Sequence, residues 1–163
     1  MTTCLLKDLL ITLESGSRPK GGVRDTDEGI PSIGAEHLDE SNGFYWEKIK
    51  YVSEKFYLSL KSGKVEEDDI LLVKDGATTG KVSYVGSDFP YPKTCINEHV
   101  FRLVIDKKKA IPKFVFRFLQ SSFGKKQILS DFRGATVGGI SRGFVEKVQI
   151  PFPPLPDQAL SPL

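Results

Sequence analysis

The sequence predicts an α+β fold: a single compact domain with a twisted mixed or antiparallel β-sheet and a few short helices. Three observations predict it. Short apolar runs of strand-like composition recur between turn-rich stretches, as in IPSI (30–33) and in DDILLVKDG followed by GKVSYVG. The segment IPKFVFRFLQSS (111–122) carries an apolar stripe at helical spacing, Phe114 with Phe118 and Val115 with Leu119. Strands and helices follow one another without regular β-α-β alternation, which argues against a doubly wound sheet. At 163 residues the chain has room for one hydrophobic core and not comfortably two.

From the N-terminus, Leu5–Leu13 is apolar and ends at the turn-rich, partly basic SGSRPKGG (15–22). Residues 30–33 form a short strand, followed by the polar GAEHLDESNG. Tyr45–Val52 is strand-like, and SEKFYLSL (53–60) reads as a short helix with Ser53 as its N-cap. The two apolar runs on either side of DGATTG form the clearest β pair. NEHVFRLVID (97–106) sets Val100, Leu103 and Ile105 among polar residues and reads as another strand. In the 111–122 helix, Pro112 occupies the first turn, where its missing amide has no intrahelical partner to lose. A second helix is expected over 125–132. The loop RGATVGGISR then leads through a helical turn into a strand over 147–153. GAT occurs at 76–78 and again at 134–136, but the flanks differ and no repeat is assigned.

Apolar content of 39% and charged content of 27% suit an ordered globular domain. The opening MTTCLLKDLL is broken by Lys7 and Asp8, unlike a signal peptide, and no run approaches the roughly 18 apolar residues of a membrane span. Cys4 and Cys95 lack paired spacing, which favours idle thiols in a reducing cytosol over a disulfide or a metal site. The net charge is only +2, yet residues 107–149 carry Lys107, Lys108, Lys109, Lys113, Arg117, Lys125, Lys126, Arg133, Arg142 and Lys147 against Asp131 and Glu146. Residues 1–106 are acidic on balance. A one-sign block of that size either attracts a polyanion or forms a solvated face.

DGATTGKV (75–82) suggests the end of a phosphate-binding P-loop, but its glycines are one residue too close and Val82 replaces the Mg²⁺-binding hydroxyl. A strand follows Lys81, where a P-loop requires a helix N-terminus. FPPLP (152–156) is similar to the Asp/Asn-Pro-Pro-aromatic motif of amino-methyltransferases, but Phe152 cannot accept a hydrogen bond from a target amine. His37 and His99 have no metal-ligand spacing. Glu98 and His99, as strand neighbours, are expected on opposite faces. The carboxylates Glu66, Glu67, Asp68 and Asp69 admit a metal-dependent nuclease, but a solvated turn before a buried strand accounts for them more simply. No catalytic, metal or cofactor constellation emerges.

The ordered series PSIGAEHL, DDILLVKDGATTGKV, INEHVFRL, FVFRFLQSSFGKKQI and GATVGGISRGFVEKVQIPFPPLPDQ resembles a target-recognition domain of type I restriction–modification specificity subunits. The resemblance spans about residues 5 to 158. It implies a recognition domain over 1–158 and a short tail, 159–163, where the family's long spacer helix would begin; Pro162 disfavours a helix there. It further implies a non-catalytic component that reads one half of a bipartite duplex DNA site through the major groove. Methyltransferase subunits, and through them restriction subunits, would be its partners, together with a second specificity domain or a second copy. No membrane and no cofactor are expected.

For such a reader, phosphate contacts position and base-edge contacts specify. The candidates for phosphate contact are Lys20, Arg24, Lys74, Lys81, Lys93, Lys113, Arg133 and Arg142, on or beside Gly-rich loops. The candidates for base reading are Arg18, Glu36, His37, Thr78, Thr79 and Asn97. A turn-closing role for Thr78 and Thr79, and structural hydrogen bonding by His37 and Asn97, are the alternatives. A truncated or decoy protein-interaction module without productive DNA binding is the competing reading of the whole chain.

Overall fold

The computed structural model describes residues 2–22, 28–41, 43–135 and 137–151. Its centre is a four-stranded antiparallel sheet in the order β2-β10-β7-β8, built from β2 (Leu10–Ser15), β7 (Ile70–Val73), β8 (Val82–Tyr84) and β10 (Val100–Ile105). A three-stranded sheet joins β3 (Ile30–Ile33), β6 (Lys50–Val52) and β9 (Cys95–Ile96), with β3 and β9 parallel. Two small ribbons pair β1 (Thr3–Leu5) with β11 (Gln149–Pro151), and β4 (Leu38–Asp39) with β5 (Gly43–Phe44). The helices are α1 (Glu54–Ser59), α2 (Pro112–Gln120) and α3 (Ser122–Leu129). The α+β class read from the sequence is the class observed. No helix among the described residues is long and apolar enough to cross a membrane.

The uninterrupted apolar run of β7 has a simple cause: both of its faces are buried. Ile70 and Leu72 point into one core with Leu103, Ile105, Phe114, Phe118 and Ile128, so α2 and α3 cover that side of the sheet. Leu71 and Val73 point the other way, to a second core with Ile33, Leu38, Ile96 and Val100. Each such fully buried side chain contributes about 1.5–3 kcal/mol. The same parity corrects the reading of β10. Leu103 and Ile105 share a face, whereas Val100 belongs to the opposite core. Arg102 shares the face of Val100 and is held by Asp69 and by Glu14, the latter at 2.7 Å.

Ser53 caps α1 as expected, accepting from the Phe56 amide at 3.0 Å. Pro112 begins α2. The following helix starts at Ser122 and not at 125, because Ser121 ends α2 and its hydroxyl accepts from the Gly124 amide at 3.1 Å to start α3. A Cβ on Gly124 would lie 2.0 Å from the Phe118 carbonyl oxygen, so this tight junction requires glycine. The expected strand over 45–52 shrinks to β6. Trp46–Ile49 forms a turn instead, with Lys48 at φ 58°. The strand expected over 147–153 is seen as Gln149–Pro151. The two-residue strands β4, β5 and β9 carry too little pattern to be read in advance.

Candidate nucleic-acid interface

The register of the central sheet brings three connecting segments to one end. β10 runs antiparallel to both neighbours, with Phe101 opposite Ser15 and Val100 opposite Val73. The loop after β2 (16–22), the turn before β10 (97–99) and the loop from β7 to β8 (74–81) therefore meet. The Lys74 amide donates to the His99 carbonyl at 2.9 Å. A fourth segment, 133–140, is attached by the Gly76 amide donating to Gly138 at 3.0 Å and the Ile140 amide donating to Lys74 at 2.8 Å. Arg133 and Gly139 close this segment with a reciprocal pair of hydrogen bonds of 2.9 and 3.0 Å. A Cβ on Gly139 would sit 2.6 Å from both the Asp75 Cβ and the Lys74 carbonyl oxygen, so the close approach of the two loops depends on glycine. The two GAT sequences are thus part of loops that touch, although they are not a repeat.

A polar chain crosses these loops. Asp75 Oδ1 accepts from His99 Nδ1 at 2.6 Å, and His99 Nε2 lies 3.2 Å from Glu98 Oε1. The same Glu98 oxygen accepts from Arg18 Nε at 2.6 Å and also meets Arg18 Nη2. The Arg18 guanidinium holds the Glu98 carboxyl below its ordinary range, and the hydrogen bond to Glu98 raises Arg18 in turn. Glu98 and His99 had been expected on opposite faces, but both precede β10 and belong to a turn, so strand alternation does not apply to them.

Two adjoining clefts open beside this chain. One is lined by Arg18, Ser32, Glu36, His37, Lys50, Asn97 and His99; the other by Ala35, Glu36, Asp75, Gly76, Ala77, Thr78, His99 and Val137. Glu36 and His99 form the boundary between them. Five of the six base-reading candidates, Arg18, Glu36, His37, Thr78 and Asn97, therefore line one continuous region. Their settings differ. Arg18 and Glu36 are exposed, with more than half of each side chain in solvent. The Asn97 Oδ1 accepts from the His99 amide at 2.9 Å, fixing the turn before β10. His37 is 1% exposed; its Nδ1 accepts from the Gly34 amide at 2.9 Å and its Nε2 contacts the Lys48 carbonyl at 3.3 Å. Burial holds this imidazole below its ordinary pKa. The fold therefore already uses both ring nitrogens of His37. Thr79 faces elsewhere, with its hydroxyl donating to the Gly76 carbonyl at 2.6 Å and closing the turn.

The basic candidates divide into two groups. Lys20, Lys74, Lys81 and Arg133 lie on three of the four converging segments, 16–22, 74–81 and 133–140. The Lys74 ammonium sits 5.5 Å from the centroid of the Phe101 ring, and desolvation lowers the Lys81 pKa. Arg142 follows closely, its Nη2 donating to the Leu13 carbonyl at the edge strand. Lys93 and Lys113 are elsewhere. Lys93 precedes β9, whereas Asn97 follows it, and its ammonium pairs with Glu54 of α1 at 2.8 Å. Lys113 lines a groove with Glu40, Phe44, Trp46, Phe89 and Phe116. Arg24 lies outside the described residues, as do 152–163 with the proline-rich segment and the expected tail.

Sequence reasoning set Glu98 and His99 aside as strand neighbours and did not single out Asp75 or Val137. A lone histidine and dispersed carboxylates have no signature, and only the sheet register brings them together. Val137, 92% exposed, had no pattern to mark it.

The family model described as the type I restriction modification DNA specificity domain matches residues 2–160. The chain belongs to that family. Solved structures agree in fold. The type I restriction–modification S subunit from M. genitalium is 16% identical with a TM-score of 0.60, over 93% of this chain and 34% of that one. The HsdS subunit from Thermoanaerobacter tengcongensis is 17% identical with a TM-score of 0.66, over 98% of this specificity domain and 34% of that chain. A chain from a study of the complex assembly and conformational transition of the type I system is 15% identical with a TM-score of 0.70, over 98% and 40%. This domain thus spans between a third and two fifths of the length of the solved chains it matches. No curated protein sequence matches it.

Proposed function

We propose that this specificity domain reads one half of a bipartite duplex DNA site through the major groove, using the loop end of its central sheet. The observation that supports this most strongly is the convergence of Arg18, Glu36, Thr78 and Asn97 on one region, with Lys20, Lys74, Lys81 and Arg133 on the segments that meet there. Side chains that can hydrogen-bond base edges line the clefts, and cations that can meet phosphates are carried by the same segments. The domain itself is non-catalytic and without cofactor in this reading. Methyltransferase subunits perform the modification, restriction subunits joined through them perform the cleavage, and a second specificity domain or second copy reads the other half-site.

Selection from a randomised duplex pool tests the reading. Enrichment of one short half-site, bound in a salt-sensitive way, is the expected result. Absence of any enriched duplex, even with methyltransferase subunits present, would overturn it. A second reading, a protein-interaction module without productive DNA binding, is favoured by the aromatic groove at Phe44, Trp46 and Phe89, where three rings contact one another at 5.1–5.3 Å. Co-purification with methyltransferase subunits and no retention of DNA is the outcome that would support it.

A further inference from the structure

Val137 is the most exposed large apolar side chain among the described residues, at 92%, and the two residues that follow it are anchored. The neighbouring Gly138 carbonyl accepts from the Gly76 amide at 3.0 Å, and Gly139 packs on Asp75. A branched aliphatic group left in solvent beside an anchored glycine pair is an arrangement that folding does not explain. Ala35 and Ala77 line the same cleft, so three small apolar side chains share one recess. Its rim is polar: Glu36 on one side, and Asp75 with His99 on the other. Arg18 and Asn97 line the adjoining cleft.

That pattern of groups matches one face of a base pair. In the major groove a thymine offers a C5-methyl beside its O4 acceptor, and the paired adenine adds an N6 amino donor and the N7 acceptor. Apolar contact suits the methyl, a carboxylate suits the amino group, and guanidinium or amide donors suit O4 and N7. Cytosine and guanine present no methyl in this groove. A protein partner suits the recess less well, because specific protein interfaces bury roughly 800 Å² per side and three small side chains supply little of that.

We infer that the recess formed by Ala35, Ala77 and Val137 receives the 5-methyl group of a thymine in the half-site, with Glu36 facing the amino group of its adenine partner. This rests on the DNA-reading function proposed above and names the base pair read by this part of the site.

The test uses the full chain and the duplex enriched from the pool. Each thymine is replaced in turn by deoxyuridine, which removes only the methyl and leaves the protein untouched. Burial of one methyl predicts binding about fourfold weaker at one position. Val137→Ser, which removes both γ-methyls at an exposed site, is expected to cause the same loss on the thymine duplex and no further loss on the uridine duplex. Uridine tolerated at every position would overturn the inference while leaving DNA reading intact. Losses from uridine and from Val137→Ser that simply add would overturn it as well, since the two groups would then not meet. A pool that yields no preferred duplex would remove the DNA-reading function and the methyl contact together.

Discussion

Asp75 and His99, carried by two different connecting segments, are joined by a 2.6 Å hydrogen bond between Oδ1 and Nδ1. The pair ties the loop from β7 to β8 to the turn before β10, and Glu98 extends the connection to Arg18. Side chains placed to read bases gain discrimination when a supporting layer restricts their positions.

Asp75→Asn should therefore affect recognition more than folding. Both partners are more than a third exposed, so the loss in urea-unfolding stability should stay below about 1 kcal/mol. Discrimination between the enriched half-site and a scrambled duplex should fall several-fold in competition binding.

His37 gives a pH dependence of known sign. Burial lowers its folded pKa below 6.5, and its Nδ1 must stay unprotonated to accept from the Gly34 amide. Its contribution to stability is present above pH 6.5 and is lost as the pH falls through the lower folded value. An NMR titration should place the imidazole midpoint below 6.5. The difference between wild-type and His37→Gln stability profiles isolates this group from others that titrate nearby.

Arg102 neutralises acidic groups inside the sheet. Its side chain is 10% exposed, beside Asp69 at 2% and Glu14 at 19%. Burial pushes the Asp69 carboxyl up to about 6 even with the Arg102 guanidinium against it. Arg102→Met leaves those carboxylates uncompensated and should cost about 3–5 kcal/mol in denaturant unfolding. Asp69→Asn should cost less, because the cation keeps Glu14.

Salt dependence distinguishes the two groups of cations. Replacing Lys74, Lys81 or Arg133 by Ala should each reduce the log–log salt slope of duplex binding by about 0.9. Lys93→Ala and Lys113→Ala should leave the slope unchanged, because Lys93 pairs with Glu54 and Lys113 lines the aromatic groove. Equal effects from all five would place the interface elsewhere.

The sequence made legible those parts whose causes are local. The apolar run of β7, the Ser53 cap, Pro112 at the start of α2 and the small-residue loop between β7 and β8 all carry their reasons within a few residues. The parts that escaped depend on pairing between distant segments. β9 is two residues long and exists because β3 and Lys64 pair with it. The Asp75–His99–Glu98–Arg18 chain arises from register, and the contact between the two GAT loops from a glycine that permits approach. For the site, the structure sets four of the candidates chosen from the sequence, Arg18, Glu36, Thr78 and Asn97, in two adjoining clefts. For Thr79 and His37 the structure shows the alternatives, a turn-closing hydroxyl and a structural imidazole, and the burial of His37 depends on distant segments that leave no local pattern.

The central claim, that DNA is read at the loop end of the β2-β10-β7-β8 sheet, is tested most directly by amide chemical-shift mapping during titration with the enriched duplex. The account predicts shifts concentrated at residues 16–22, 74–80, 97–99 and 133–140, with the groove around Trp46, Phe89 and Lys113 unaffected. Shifts concentrated at that groove, with the four converging segments silent, would contradict it.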